Sequence, residues 1–178
     1  MKAYLAKQGE YFVSVMLTNV GGIVAAFVAI VIKAALPFSA TVETLIETVL
    51  SLLISVFAIA VLAAKSGYEK RTFSLRFNAV NGLLFLLWHL GLSWVCQAAW
   101  FSSGMLHFEV TYWLCYAAGI RLVQGKAYPL LLSLLGVAIA DALIILPVTT
   151  LGNDWGARKY RRDVREMQED HAQRQGDV

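Results

Sequence analysis

Residues 128–151 read YPLLLSLLGVAIADALIILPVTTL, a stretch that is apolar almost throughout and carries one carboxylate, Asp141, near its middle. At ~1.5 Å per residue, a helix over this stretch is ~36 Å long, enough to cross a hydrocarbon layer of ~30 Å. A carboxylate at that depth is costly and faces protein or water rather than lipid. The stretch therefore predicts a membrane-spanning helix whose acid packs against other helices of the chain.

The composition of the whole chain agrees with this interpretation. The 178 residues are 58% hydrophobic and 15% charged, with a mean hydropathy of +0.63, whereas soluble domains carry about 25% charged residues. The start, MKAYLAKQGEY, is mixed in charge, and the apolar run after it is too long for a signal peptide. We predict an all-α, polytopic helical bundle in the cell membrane, surrounded by the lipid bilayer and retaining its first span.

Five hydrophobic segments are expected, at about residues 11–36, 41–64, 78–101, 105–123 and 128–151. The fourth is the weakest, because its uncharged part covers only residues 110–120, and so short a run is more typical of an interfacial or re-entrant helix. Residues 1–152 are thus predicted to form the transmembrane bundle, and residues 153–178 a charged, helical, cytoplasmic tail.

The distribution of lysine and arginine bears on the number of crossings. When the tail is counted as far as Arg165, five crossings place eight of these residues on one side and six on the other, whereas four crossings place eleven and three. The positive-inside rule favours four crossings with both termini cytoplasmic, while hydropathy favours five. In both alternatives the N-terminus and the basic loop 65–76 are cytoplasmic.

The strongest candidate site combines Asp141 with His89, which lies near the centre of the third segment. Ser93 and Gln97 follow His89 at intervals of four residues and share its face of a helix. A carboxylate beside an imidazole at mid-membrane depth is typical of a proton or cation relay. The alternative is a structural polar pair, satisfied by hydrogen bonds within the bundle.

Two acidic residues open the second segment. Glu43 and Glu47 are one helical turn apart, so both carboxylates lie on one face. They are candidates for a cation-attracting mouth. The alternative is an interfacial acidic patch that pairs with Lys33 across the hairpin.

Small residues recur at four-residue intervals in the first segment, at Gly21, Ala25 and Ala29. Such a seam allows another helix to approach closely. It serves either packing within the chain or docking of a partner, which would make the protein a homo-oligomer or part of a larger membrane complex.

The tail carries a basic patch next to the membrane, composed of Arg158, Lys159, Arg161, Arg162 and Arg165. Such patches orient a protein in the membrane, attract anionic lipid and can contact partners. Because the basic residues of the chain lie in loops and in this tail, its pI near 8.9 does not indicate nucleic-acid binding.

Motifs for enzymatic or metal chemistry are absent from the sequence. Cys96 and Cys115 lie in apolar runs without a CxxC pair, and neither HExxH nor GxSxG occurs. We therefore expect no metal, no cofactor and no enzymatic activity. The favoured function is a transporter or an ion- or solute-conducting protein built around Asp141 and His89. The alternative is a non-catalytic membrane subunit or scaffold, for example the substrate-capturing subunit of a multi-component importer.

Overall fold

A computed structural model of the protein describes residues 1–36, 38–70, 74–95 and 130–176, whose regular elements are all helices. They are α1 (Lys2–Ala35), α2 (Ala40–Lys70), α3 (Leu75–Val95) and α4 (Leu130–Ala140), followed by a π-helical turn (Asp141–Ile145) and α5 (Leu146–Gly176). The predicted all-α class is confirmed. The predicted fourth segment, residues 105–123, lies outside the described residues, as do residues 96–101 of the third and 128–129 of the fifth.

Within the described part of the chain, four helices are long and apolar enough to cross a membrane, namely Lys2–Ala35, Ala40–Glu69, Leu75–Trp94 and Leu134–Arg174. The predicted count of five is therefore not confirmed. The last of these ranges covers the π-turn and most of α4 and α5. These four helices fit a multi-pass membrane protein.

The bundle exposes many large apolar side chains and buries several charged and polar ones. Phe57 and Leu131 are 72% and 77% exposed, whereas charged and polar side chains such as Lys7, Asn78 and Asp141 are fully buried. In water this arrangement would be unfavourable, because large apolar side chains prefer the interior. In lipid it is expected, because hydrocarbon offers polar groups no hydrogen bonds.

The helix ends follow from local sequence. Leu36 is extended, with φ −134° and ψ 100°, because a residue that precedes proline disfavours the α conformation. The Ser39 hydroxyl accepts from the Val42 N–H, and the Ser74 hydroxyl accepts from the Phe77 N–H. Ser74 is thus positioned as an N-cap, which explains why α3 begins at Leu75 rather than at residue 78.

Helices α2 and α5 extend further than the hydropathy predicts and stay in contact along the extension. Three glycines bring their backbones together, with Gly67 against Asn153, Gly152 against Ala63, and Gly156 against Ala64. The lysine, arginine and glutamate residues of the extension favour helix. The Tyr68 hydroxyl of α2 continues the contact by donating to Asp163 of α5 over 3.1 Å. Residue 152, predicted as the boundary between bundle and tail, therefore lies inside one continuous helix.

Contacts between the helices define the two ends of the bundle. Gln8 of α1 bonds to Asn81 near the start of α3, and Glu10 bonds to Asn153 of α5. The start of α1, the end of α2, the start of α3 and the part of α5 around Asn153 thus lie together. We call this the terminal end of the bundle.

Helix α3 runs antiparallel to α4 and α5. Asp141 lies beside His89, while Leu146, further along the chain, lies beside the earlier residue Gly82. Val95 and Leu130, which flank residues 96–129, therefore both lie at the end opposite the terminal end. If the chain crossed the membrane once between Val95 and Leu130, α3 and α5 would have to run parallel. The antiparallel arrangement is therefore the one that four crossings require.

The glycine contacts predict a position-specific effect on stability. Gly156→Ala places a Cβ against the Ala64 backbone, and Gly67→Ala places one against the Asn153 backbone. Each should cost about 1–3 kcal/mol through overpacking and lower the melting temperature in detergent. Gly9→Ala and Gly91→Ala are matched controls, because their Cβ atoms meet nothing within 4 Å. Equal melting temperatures for all four variants would contradict this packing.

The arrangement of the ends also predicts that both termini lie on the same side of the membrane. Single cysteines introduced at Ala3 and at Ala172 should behave alike towards a membrane-impermeant maleimide in intact cells. Either both are labelled or both are protected. A cysteine at Ser39, at the opposite end, is the control and should show the reverse accessibility. Labelling of only one terminus would contradict the four-crossing arrangement.

Candidate functional site

His89 of α3 and Asp141 of the π-turn form a buried pair. The His89 Nδ1 atom lies 2.5 Å from the Asp141 Oδ2 atom, and the two side chains are 1% and 0% exposed. Both residues lie within helices that can cross a membrane. The structure therefore brings together the two residues that the sequence singled out.

The π-turn that carries Asp141 has its cause in Pro147. Proline lacks an N–H, and its ring crowds the carbonyl of the residue four positions earlier, here Leu143. The helix widens ahead of the proline, and the Leu146 N–H donates to the Asp141 carbonyl, five residues back. Such single π-turns inside α-helices are frequent at functional sites. Pro147 thus affects the preceding turn of the helix, which contains Asp141.

The pair can hold and release a proton. An imidazole nitrogen can donate or accept a hydrogen bond, and a carboxyl group can carry a proton or accept one. A single proton between the two groups gives either imidazolium with carboxylate or neutral imidazole with carboxylic acid. A proton can therefore move between the two groups without leaving an isolated charge in the bundle.

The other residues of the predicted polar stripe are placed only in part. Ser93 lies one turn beyond His89 and is buried, and its hydroxyl has no hydrogen-bond partner among the described residues. Gln97 lies outside the described residues. The described site therefore consists of His89 and Asp141, with Ser93 beyond them.

An apolar layer separates the pair from the terminal end. The layer contains side chains from α1, α2, α3 and the π-turn, namely Tyr11, Val15, Ile59, Phe85 and Ile145. The Phe85 ring lies 5.1 Å from the Tyr11 ring and 5.2 Å from the His89 ring, measured between centroids. Phe85 thus stands between the pair and the polar side chains beyond Tyr11.

Beyond this layer lies a second polar cluster, which the sequence did not predict. Lys7 and Glu10 form a buried ion pair, with 2.8 Å between Nζ and Oε1. The Asn153 side chain donates to the same carboxylate oxygen over 2.5 Å. An ion pair in a bundle interior is costly unless its members are hydrogen-bonded, and here helix α5 contributes such a bond.

Further hydrogen bonds attach α3 to this cluster. Gln8 donates to the Asn81 carbonyl over 2.9 Å and accepts from the Trp88 indole over 2.6 Å. The Tyr11 hydroxyl donates to the Asn78 carbonyl over 2.9 Å. An indole N–H donates but does not accept, so Trp88 cannot pass a proton between the cluster and His89.

A sequence signal for this cluster existed and was missed. Lys7, Glu10, Ser14, Thr18 and Gly21 recur at intervals of three and four, which places them on one helix face. The small-residue seam of α1 therefore continues into a polar stripe towards the N-terminus. The prediction that the first span begins at residue 11 cut this stripe, whereas α1 begins at Lys2.

The predicted cation mouth lies elsewhere in the bundle. Glu43 forms an ion pair with Lys33 across the hairpin between α1 and α2, at the end opposite the terminal end. Glu47 is half-buried one turn further along α2. No described contact joins these acids to His89 or Asp141, and the pairing with Lys33 is the alternative considered from the sequence.

The small-residue seam faces α2 of the same chain. Gly21, Ala25 and Ala29 are all buried, and a Cβ at Gly21 would lie 2.8 Å from the Ser55 hydroxyl. The seam therefore lets α1 and α2 pack closely. It is not an open surface for a partner.

The basic patch lies on the exposed part of α5 at the terminal end. Arg158 pairs with Asp154 over 3.0 Å, and the Lys159 ammonium lies 5.9 Å from the centre of the Trp155 ring. Arg161, Arg162 and Arg165 are exposed. These residues do not join the histidine–aspartate pair.

Metal-binding groups of three or more histidine, cysteine, aspartate or glutamate side chains do not occur in the part of the chain that the structure describes. Comparison with models of protein families, with curated proteins and with solved structures finds no match. The functional argument therefore depends on the geometry of this chain alone.

The buried pair predicts a coupling that a double-mutant cycle can measure. His89→Leu leaves the Asp141 carboxyl in the bundle without its imidazole and should cost about 3 kcal/mol of unfolding free energy, as other broken buried pairs do. His89→Leu with Asp141→Leu should recover most of that loss, with a coupling of about 1–3 kcal/mol. Unfolding in detergent provides the measurement, and additive losses would contradict a direct interaction.

Proposed function

We propose that the protein conducts protons, or couples proton movement to the passage of a small solute, across the cell membrane through His89 and Asp141. The observation that carries the proposal is the contact of 2.5 Å between His89 Nδ1 and Asp141 Oδ2 inside the bundle. Ionisable residues at this depth are expensive, and where they occur they commonly mark proton or ion pathways.

Two features of the surroundings favour transport over a purely structural pair. The acid lies in a π-turn, where the backbone departs from regular α-helical bonding. The apolar layer around Phe85 also separates the pair from the polar cluster at the terminal end. A buried proton site closed on one side by an apolar layer is what a gated pathway requires, because a permanently open path would dissipate the gradient.

The orientation that we propose places the terminal end in the cytoplasm. Lys2, Lys7, Lys65, Arg76 and the basic residues of the tail lie at this end, whereas Lys33 lies at the other. Positive residues near the ends of spans are retained on the cytoplasmic side. We place the role of a non-catalytic subunit second, because the seam at Gly21, Ala25 and Ala29 that suggested it is buried within the chain.

Proton flux into vesicles tests the proposal. The purified full-length protein is reconstituted in liposomes that contain a pH-sensitive dye, and a pH step is applied with valinomycin and potassium present to clamp the potential. Asp141→Asn should lower the protein-dependent proton flux about a hundredfold, because an amide neither binds nor releases a proton near neutral pH.

Asp154→Asn is the matched control, since Asp154 forms a surface ion pair with Arg158 and lies outside the buried pair. It should retain the parental flux. Both variants are compared at equal reconstituted amounts and with melting temperatures measured in detergent. Parental flux in a folded Asp141→Asn protein would refute the role of the pair.

A further inference from the structure

A groove lies between α2 and α5 where the two helices reach the terminal end. It has a volume of about 370 Å³, and the close contact between the Gly156 and Ala64 backbones forms its bottom. Tyr68 and Trp155 also line it, one from each helix. Tyrosine and tryptophan are enriched at the level of lipid headgroups, because their rings are apolar at one end and polar at the other. The groove therefore has the composition of a site at the membrane–water interface.

Exposed apolar side chains lead from the groove towards the middle of the bundle. Phe57 and Val61 lie one turn apart on the exposed face of α2, and Val61 lines the groove. On α5, Leu151 is exposed and lies one turn before Trp155. In a membrane these side chains face hydrocarbon, so a lipid acyl chain can lie along them while its headgroup is at the groove.

Two ammonium groups stand at the rim of the groove, one from each helix. Lys65 follows Val61 by one turn of α2, and Lys159 follows Trp155 by one turn of α5, and both lysines are exposed. The acid among the described lining residues is Glu69, 3.8 Å from Lys65 in a pair whose side chains are 57% and 73% exposed. So exposed an ion pair is weak, which leaves the Lys65 ammonium available to another anion.

The charges of the groove match a phospholipid with one negative charge. Two lysines and one glutamate leave the groove with an excess of one positive charge. The surrounding part of α5, residues 154–166, carries five basic and three acidic side chains, so the excess is positive there as well. Phosphatidylglycerol carries a single negative charge, on its phosphate, whereas phosphatidylcholine is neutral overall. Basic pockets between transmembrane helices are typical sites for anionic lipid headgroups.

We propose that the groove between α2 and α5 binds an anionic phospholipid from the leaflet at the terminal end. Its phosphate lies between the Lys65 and Lys159 ammonium groups, and its acyl chain follows Val61 and Phe57. This lipid site is separate from the histidine–aspartate pair, and it does not depend on proton movement through the bundle.

Quenching of Trp155 fluorescence tests the site in the full-length protein. The protein is reconstituted in phosphatidylcholine bilayers that contain a small fraction of either phosphatidylglycerol or phosphatidylcholine brominated in the upper part of the acyl chains. Because the chain has five tryptophans, the Trp155 signal is obtained by subtracting that of Trp155→Phe. Brominated phosphatidylglycerol should quench Trp155 at about a tenfold lower mole fraction than brominated phosphatidylcholine, because the lysines attract its phosphate.

Two double variants with the same change in charge separate the groove from the tail as a whole. Lys65→Gln with Lys159→Gln should abolish most of the preference for phosphatidylglycerol. Arg161→Gln with Arg165→Gln removes two positive charges from exposed positions outside the groove and should keep the preference. Equal losses in the two variants would show diffuse attraction to a charged surface and overturn the site. Equal quenching by both lipids in the parental protein would overturn it too.

The melting temperature in detergent provides a second readout, which leaves Trp155 in place. A ligand that binds the folded protein raises its melting temperature. Added phosphatidylglycerol should therefore stabilise the parental protein and the arginine variant more than phosphatidylcholine does, and the lysine variant should lose this difference. The same rise in all three proteins would overturn the groove as the binding site. Absence of proton flux would overturn the proposed function alone, because neither lipid readout requires flux.

Discussion

The Asp141 carboxyl group needs a polar partner inside the bundle, because hydrocarbon offers it neither a hydrogen-bond donor nor a counter-ion. The His89 side chain provides that partner, and this single contact has consequences for the whole architecture. It places α3 directly beside α4 and the π-turn. Together with the contact between Gly82 and Leu146, it makes the two helices antiparallel and so determines which ends of the bundle the chain connects.

The interior is divided into layers along the helix axes, each with its own energetic character. Beside Asp141 and His89 lies the apolar layer of Tyr11, Val15, Ile59, Phe85 and Ile145, and beyond it lies the ion pair of Lys7 and Glu10. Charged groups inside a bundle weaken its packing relative to apolar residues of similar volume. Buried ionisable pairs on both sides of an aromatic layer are therefore difficult to explain by stability alone. For this reason the proposed function rests on these layers.

Much of the fold followed from patterns that depend on a single helix. Long apolar runs predicted membrane helices, and Asp141 and His89 were recognisable because an ionisable residue is conspicuous in such a run. The Lys7 and Glu10 cluster was missed for the opposite reason. Its residues sit in a mixed-charge start that is typical of a solvated terminus, and their burial depends on Asn153 and Asn81, which are distant in the sequence.

The extent of α5 was missed for a related reason. Hydropathy reports the preference of residues for lipid, and it falls after Gly152, but the helix continues because Gly152 and Gly156 allow its backbone to pack on α2. The same limitation applies to the topology. The count of lysine and arginine residues allowed four crossings to be compared with five. Among the described residues, only the antiparallel contact between α3 and α5 distinguishes these two topologies.

The continuity of α5 also has a mechanical consequence. Residues Leu146–Gly176 form one helix of about 46 Å, which runs from mid-bundle to the exposed basic tail and behaves as a stiff lever. Between Leu130 and Gly176 the departure from regular α-helical bonding is the π-turn that holds Asp141. Because helices bend most readily at such π-turns, a bend of this long helix would be centred at the residue that touches His89.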